Sequence, residues 1–403
     1  MNRIPDAMAS TQSRVNPLRA IAAFCLLALG AIILACAMKG NNAAKGDYIS
    51  YWAAGQQLVH RGNPFDGAAI LRIEQAAGYE ANRPFFMRNP PSAFFLALPL
   101  GFFGARVGAV VWSLAMIAAL MRSTRILWIM HGRPPDRLHL LGYCFPPTLA
   151  CLLTGQIGMF ILLGVALFLY FHASRPYFAG AALLLCTLKP HIFLPFGVVL
   201  IAWIVARRAY RILAGALVIL IASVALSFFL DPAGWAHYAH MVKAADIQDE
   251  YIPTISLMFR LVVQRKSVWL QFGPAFAGCG WGLWYFWTRR ERWNWMDHGS
   301  LLLIISVLVA PYAWFTDQVI LIPALLHAVY LTRSRGVIAI LAMASVVVEI
   351  VVFRGVPLIH SAIHIWTVPA WLACYLYAVR TTAAQPSKAY DPPLLAEGRK
   401  ATL

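Results

Sequence analysis

Ile212-Leu213-Ala214-Gly215-Ala216-Leu217-Val218-Ile219-Leu220-Ile221-Ala222-Ser223-Val224-Ala225-Leu226-Ser227-Phe228-Phe229-Leu230 runs without a charged side chain between Arg211 and Asp231. At about 1.5 Å of rise per residue, such a run crosses a hydrocarbon core roughly 30 Å thick as one helix. Similar apolar runs recur from residue 20 to residue 379, separated by polar breaks. They are continuous rather than alternating, which favours helices over a membrane barrel.

The chain of 403 residues is 61% hydrophobic and 12% charged, whereas a soluble domain carries about 25% charged residues. Mean hydropathy is +0.67. Backbone polar groups in lipid must be paired internally, and a helix does this within one segment. The expected architecture is therefore all-α: a polytopic transmembrane helical bundle of about 11 to 13 helices, forming a single integral membrane domain over 1–403.

The formal net charge is +17. Its arginines gather between apolar runs: Arg122, Arg125, Arg133 and Arg137; Arg207, Arg208 and Arg211; Arg289, Arg290 and Arg292; Arg333 and Arg335. That is the pattern of cytoplasmic loops. No basic soluble domain or RNA-binding motif accompanies the charge, so a nucleic-acid partner is not expected. The seven cysteines, Cys25, Cys36, Cys144, Cys151, Cys186, Cys279 and Cys374, fall in apolar stretches without a Cys-x-x-Cys pair. They read as small core residues. Arg3, Arg14 and Arg19 precede the run 20–38, which reads as a retained first helix with its N-terminus inside.

Positive-inside counting then places the stretch 39–91 outside as a first outer loop, with an amphipathic piece near Ala68 to Ala77. If 92–121 crosses once with a kink or a re-entrant half, the arginines of 122–137 fall inside, and Gly155-Gln156 and Lys189-Pro190-His191 fall outside. Two full crossings there would put those arginines on the other side, and the parity stays open. A second outer loop is expected over 231–266, with Trp235-Ala236-His237-Tyr238-Ala239-His240 and the acids Asp246, Asp249 and Glu250. The tail 381–403 is expected in the cytoplasm. Long loops that carry short helices are more often functional than connecting.

Asp47 stands in Gly46-Asp47-Tyr48-Ile49-Ser50-Tyr51-Trp52-Ala53-Ala54-Gly55, in a chain with only 16 carboxylates. Tyr48, Tyr51, Trp52, Ala54 and Leu58 fit one face of a short helix lying along the membrane interface. Asp47 is then either its N-cap or a base in an aromatic setting. Lys189-Pro190-His191 leaves a cation near membrane depth beside a helix break, either snorkelling to headgroups or holding a phosphate. Asp317, in Pro311-Tyr312-Ala313-Trp314-Phe315-Thr316-Asp317-Gln318, is an outer-turn acid whose simpler reading is again a helix cap. Glu349 stands alone in an apolar run. His360 with His364, and His237 with His240, lack a carboxylate or cysteine to complete a metal site, so no metal is expected. No Asp-x-Asp triplet, phosphate-binding glycine loop or Gly-x-Ser-x-Gly elbow is present, which removes support for soluble nucleotide-sugar, NTP and serine-hydrolase chemistry.

In order along the chain, these segments resemble glycosyltransferase family 87, polytopic enzymes of GT-C type that use polyprenyl-phosphate sugars. The resemblance rests on residues 46–55 with Gly62-Asn63-Pro64-Phe65-Asp66, on Asn89-Pro90-Pro91, on Thr154-Gly155-Gln156 with Leu188-Lys189-Pro190-His191, and on Pro311-Tyr312 through Asp317 with Leu321 and Pro323. Gly158 and Asn89 depart from the family pattern, where a polar and an aromatic residue are common.

The resemblance implies an inverting transfer of a mannose- or arabinofuranose-type sugar from a polyprenyl-phosphate donor to a hydroxyl of an envelope glycolipid or glycan. The implied setting is the bacterial inner (plasma) membrane with the active site on the outer, periplasmic face. By the same resemblance Asp47 is the catalytic base. Lys189, Arg88 and His191 face the donor phosphate, and Tyr48, Tyr51, Trp52, Gln156 and Asp317 contact substrate. No cofactor is implied, because the leaving group is a phosphomonoester. A lipid flippase or transporter without covalent chemistry, or a non-catalytic envelope-assembly subunit, is the alternative. A transporter should show paired broken helices and internal repeats.

Overall fold

The computed structural model of the chain describes residues 46–244, 252, 254–332, 335–353 and 362–383. Every regular element among the described residues is helical, as expected for an all-α bundle. The run 20–38, Cys25, Cys36, Asp246, Asp249, Glu250, His360 and the tail beyond 383 lie outside the described residues.

In chain order the main helices are α1 (Tyr48–Val59), α2 (Gly67–Ala76), α3 (Ala105–Met130), α4 (Pro146–Thr154), α5 (Gly158–Phe171) and α6 (Pro176–Ala182). They continue with α7 (Leu194–Ala206), α8 (Tyr210–Leu230), α9 (Gly234–Ala244), α10 (Ile255–Val262), α11 (Val268–Arg289) and α12 (Asp297–Leu308). The last three are α13 (Ile322–Thr332), α14 (Arg335–Phe353), which carries Glu349, and α15 (Thr367–Ala383).

Among the described residues, Ala105–Met130, Tyr210–Leu230 and Phe315–Thr332 are long and apolar enough to cross a membrane, and Pro176–Leu188 with Pro190–Ala206 reach that length together with a bend of 118° between them, as a broken span or a re-entrant loop. Shorter apolar helices, among them Gly158–Phe171 and Asp297–Leu308, complete the bundle. The chain is a polytopic membrane protein.

Helix α8 shows why the opening run behaves as a span. It turns Ile212, Gly215, Ser223 and Ser227 inward and exposes Leu217, Val218, Ile221 and Phe229. Small residues let backbones approach, and the polar ones find partners: Ser223 Oγ donates to the Ser92 carbonyl. This small-inside, apolar-outside pattern is that of a helix facing lipid. Helix α11 repeats it, with Ala275, Gly278 and Gly282 inside and Trp269, Phe276, Trp284 and Trp287 outside.

The stretch that precedes residue 91 carries two short helices, α1 and α2. Asp66 caps α2, its Oδ1 accepting from Ala68 N at 3.0 Å and Ala69 N at 3.2 Å. Helix α1 differs from the reading of an interfacial helix with one apolar face, because Ile49, Ser50, Ala53 and Gly55 are buried along with Tyr48, Tyr51, Trp52, Ala54 and Leu58. The reason is close packing: a Cβ on Gly55 would overlap the Ala97 carbonyl oxygen of the short apolar helix Pro91–Phe102. The end of that segment stays with α1, where the Trp52 Nε1–H donates to the Phe103 carbonyl at 2.8 Å and the Tyr48 hydroxyl to the Ala105 carbonyl at 2.7 Å. Residues 91–104 thus fold back against α1, and α3 alone makes the long helix that follows, with Arg122 and Arg125 in its second half.

Of the cysteines in the described residues, Cys151 and Cys186 are buried core residues, whereas Cys144 is exposed. The exposure follows from its place in the loop between Gly142 and Pro146, where the chain turns into α4.

Glu74 on α2 is 0% exposed. Its Oε2 accepts from Phe85 N at 3.0 Å, tying α2 to the strand of chain that leads to Arg88, while Oε1 has no partner among the described residues. Burial outweighs the Phe85 hydrogen bond and pushes its carboxyl up to about 7 from the ordinary 4.5. Between those values the folded chain holds a proton that the unfolded chain releases. The contribution of Glu74 to stability is therefore greatest below pH 4.5 and falls by about 3 kcal/mol as pH rises towards 7. Glu74→Gln is expected to remove this slope in thermal melts between pH 5 and 8, and identical slopes in the two proteins would refute the assignment.

Candidate active site

Four turns meet at one end of the bundle: the start of α1, the Gly155-Gln156 turn after α4, the Lys189 break between α6 and α7, and the 311–317 turn before α13. Gly155 ends α4 in the left-handed region at φ 68°, and a Cβ there would sit 2.7 Å from the Tyr48 Cβ. Only glycine closes this turn without strain. Asp47 is attached to it directly, since Asp47 N donates to the Thr154 carbonyl at 2.6 Å. The Trp112 Nε1–H of α3 holds the Gly155 carbonyl at 2.7 Å.

Gln156 follows this turn with its backbone held on both sides. Its N–H donates to the Cys151 carbonyl at 3.1 Å, and the Cys151 thiol donates to the Gln156 carbonyl at 3.2 Å. The side chain then points to Lys189.

Lys189 lies in the break that bends the α6–α7 pair. Pro190 lacks an N–H and disfavours helical backbone in the residue before it, and Lys189 takes φ −138° and ψ 70°. The carbonyl freed at Leu188 accepts from Asn89 Nδ2 at 2.7 Å. Lys189 Nζ donates to Gln156 Oε1 at 3.0 Å and to Asp317 Oδ1 at 2.6 Å. Among the described residues these acceptors take two of its three N–H bonds. Lys189 is neither snorkelling nor a bare cation; it is the buried half of an ion pair with side-chain exposures of 11% and 2%.

Asp317 keeps its second oxygen for its own turn, Oδ2 accepting from Trp314 N at 2.9 Å. It therefore serves as a local cap and as the lysine's counter-ion together. The other side of that turn is clamped by a Gln318–Thr367 side-chain hydrogen bond of 2.7 Å and by His364, stacked on Phe315 at 4.1 Å.

Asp47 is 7% exposed. It stands at the N-cap position of α1 with helical φ and ψ, and its side chain makes no capping hydrogen bond, so the cap reading does not describe it. Ser50 holds the Asp47 carbonyl through both its N–H and its hydroxyl. Tyr51 lies between the two acids: burial first, then the charges of Asp47 and Asp317, hold its phenol well above the ordinary tyrosine range. Its ring stacks on Trp112 at 5.1 Å.

His191 stacks on Tyr312 with ring centroids 3.8 Å apart. Burial raises the Tyr312 phenol while the neighbouring Arg88 guanidinium pulls it down, which puts Arg88 on the same wall. The Tyr238 hydroxyl of α9 reaches the Arg88 carbonyl at 3.4 Å.

Thus Lys189, Gln156 and Asp317 touch, Tyr51 links Asp317 to Asp47, and Tyr312 links His191 to Arg88. Tyr48 and Trp52 do not extend this array, because their polar atoms are used to pin α1 to residues 103–105. Tyr312, Asn89 and Tyr238 belong to it although the sequence reading gave them no role. Asn89 was visible as a departure from the family pattern, and Tyr312 as the aromatic of a Pro-Tyr pair. Elsewhere, His237 Nδ1 bonds Asp231 Oδ2 at 2.9 Å.

A sequence model of glycosyltransferase family 87 matches residues 86–311, more than half of the 403. The chain belongs to glycosyltransferase family 87. It is a membrane glycosyltransferase. No curated protein and no solved structure matches it. The family 87 match takes in Arg88, Gln156, Lys189 and His191, begins after Asp47 and ends before Asp317.

Chemically, the array offers one acid, Asp47, beside a phenol kept protonated, and a lysine whose charge is already balanced. The pair of Lys189 and Asp317 is neutral as a unit. Arg88 brings a further guanidinium to the wall beside Tyr312, and Lys189 has a third N–H beyond the two that are bonded.

Proposed function

We propose that this family 87 protein is an inverting glycosyltransferase that moves a mannose- or arabinofuranose-type sugar from a polyprenyl-phosphate donor to a hydroxyl of an envelope glycolipid or glycan. The site would face the periplasm from a bacterial inner membrane. Asp47 takes the proton of the acceptor hydroxyl, whose oxygen attacks the anomeric carbon. The bond from that carbon to the phosphate oxygen breaks, and polyprenyl phosphate leaves with the electron pair. A positioned base contributes because a sugar hydroxyl is a poor nucleophile until its proton is taken. Arg88 and the Lys189 ammonium meet the charge that grows on the leaving phosphate, where fixed donors lower the barrier. His191, held against Tyr312, completes that wall.

The observation that carries this reading is the meeting of Gln156, Lys189 and Asp317 within 3.0 Å, with Asp47 acting on the same Tyr51 as Asp317. An acid and a cation from distant segments share one end of the bundle, as transfer between a lipid-linked donor and an acceptor requires. Incubating the purified protein with radiolabelled polyprenyl-phosphate mannose or arabinofuranose and an envelope lipid extract is expected to label the acceptor fraction. Absence of transfer from every donor would favour transport or assembly instead.

A further inference from the structure

Helix α7 starts beside Lys189 and ends at Ala206, so residues 207–211 lie a helix length from the candidate active site. There they join the end of α11. Arg207 Nη2 donates to the Arg290 carbonyl at 2.9 Å and to the Glu291 carbonyl at 3.1 Å. Arg289 lies over the Tyr285 ring at 4.4 Å and Arg290 over the Trp287 ring at 4.3 Å. Arg207, Arg208, Arg211, Arg289, Arg290 and Arg292 are all exposed, and Glu291 is the only acid in 207–211 and 289–292.

Loop charge on one side of a membrane protein accounts for arginines, but not for how these are held. Arg208 adopts φ 54°, a left-handed conformation that any Cβ disfavours and that glycine would take without strain. Arg207, Arg289 and Arg290 are fixed by carbonyls or rings before any ligand arrives. Val205 and Trp284, within the last turns of the two helices that lead into these loops, are exposed apolar side chains.

We propose that loops 207–211 and 289–292 together hold the phosphate of an anionic phospholipid from the leaflet opposite the candidate active site. Guanidinium groups bind phosphate oxygens in pairs, clusters of arginine at a membrane surface select anionic headgroups, and the tryptophans anchor at the interface. This assignment does not depend on the transfer reaction.

Native mass spectrometry of the detergent-purified full chain, titrated with phosphatidylglycerol, phosphatidylcholine or inorganic phosphate, tests it. The expected result is retention of phosphatidylglycerol over phosphatidylcholine on the order of tenfold, with a loss of roughly fivefold for each guanidinium removed. Arg208→Gly combined with Arg290→Gln is expected to lose the preference, while its melting temperature with phosphatidylcholine stays level or rises because glycine relieves the turn. Arg289→Gln with Arg292→Gln, which leaves the turn intact, is expected to show the same loss. Equal retention of the two lipids, a preference that survives both variants, or inorganic phosphate competing as well as the lipid would overturn the proposal.

Discussion

Asp47→Asn is expected to lower kcat/KM for sugar transfer by about 10²–10⁴-fold, the range contributed by a positioned general base. Asparagine keeps the shape of the side chain and an acceptor oxygen, so contacts that need only an acceptor survive. What it loses is the ability to take a proton. The backbone anchors of residue 47, its N–H to the Thr154 carbonyl and its carbonyl to Ser50, are independent of the side chain. Transfer should therefore collapse while these backbone anchors stay in place. Transfer within tenfold of wild type in Asp47→Asn would remove Asp47 as the base.

Asp317→Ala is expected to destabilise the protein by about 3–5 kcal/mol, the cost of leaving one partner of a buried ion pair uncompensated. Lys189 would keep its charge with only Gln156 as an acceptor among the described residues, and Trp314 N would lose Oδ2 as its partner. Lys189→Met alone should cost a similar amount, because it strands the carboxylate. Lys189→Met with Asp317→Asn should recover most of that stability while transfer stays lost, since a neutral pair of similar volume packs without desolvated charge. Denaturation in detergent of the wild type, Asp317→Asn, Lys189→Met and Lys189→Met with Asp317→Asn forms a double-mutant cycle. A coupling below about 0.5 kcal/mol would show that the 2.6 Å contact contributes nothing special.

The two acids differ in how legible they were. Asp47 could be singled out because carboxylates are scarce and its neighbours are aromatic, but sequence alone left cap and base open. The structure closed the first option by giving residue 47 helical backbone and no capping bond. Asp317 looked like another cap, and it is one, through Trp314 N. Its second role could not be read, because its partner is 128 residues away.

Helix α1 shows the other kind of failure. Its large residues suggested one apolar face, yet the opposite side is equally buried because Ser50, Ala53 and Gly55 are small enough for close approach. Small residues carry weak hydropathy signals and strong packing consequences in membranes. A reading based on hydropathy therefore places the helix on a surface when it is enclosed.

What the sequence by itself determined is local. Uncharged runs such as 212–230 must be helices that cross lipid, since no other structure pairs the backbone within one segment. Pro190 must break the helix at Lys189, and Gly155 must allow a tight turn before Gln156. Tertiary structure alone decided the pairing at the site: whether Lys189 stands as a bare cation or, as found, balanced by Asp317 within a neutral pair. That outcome depends on where helices far apart in sequence place their ends, which side-chain packing sets and no periodicity along one segment records.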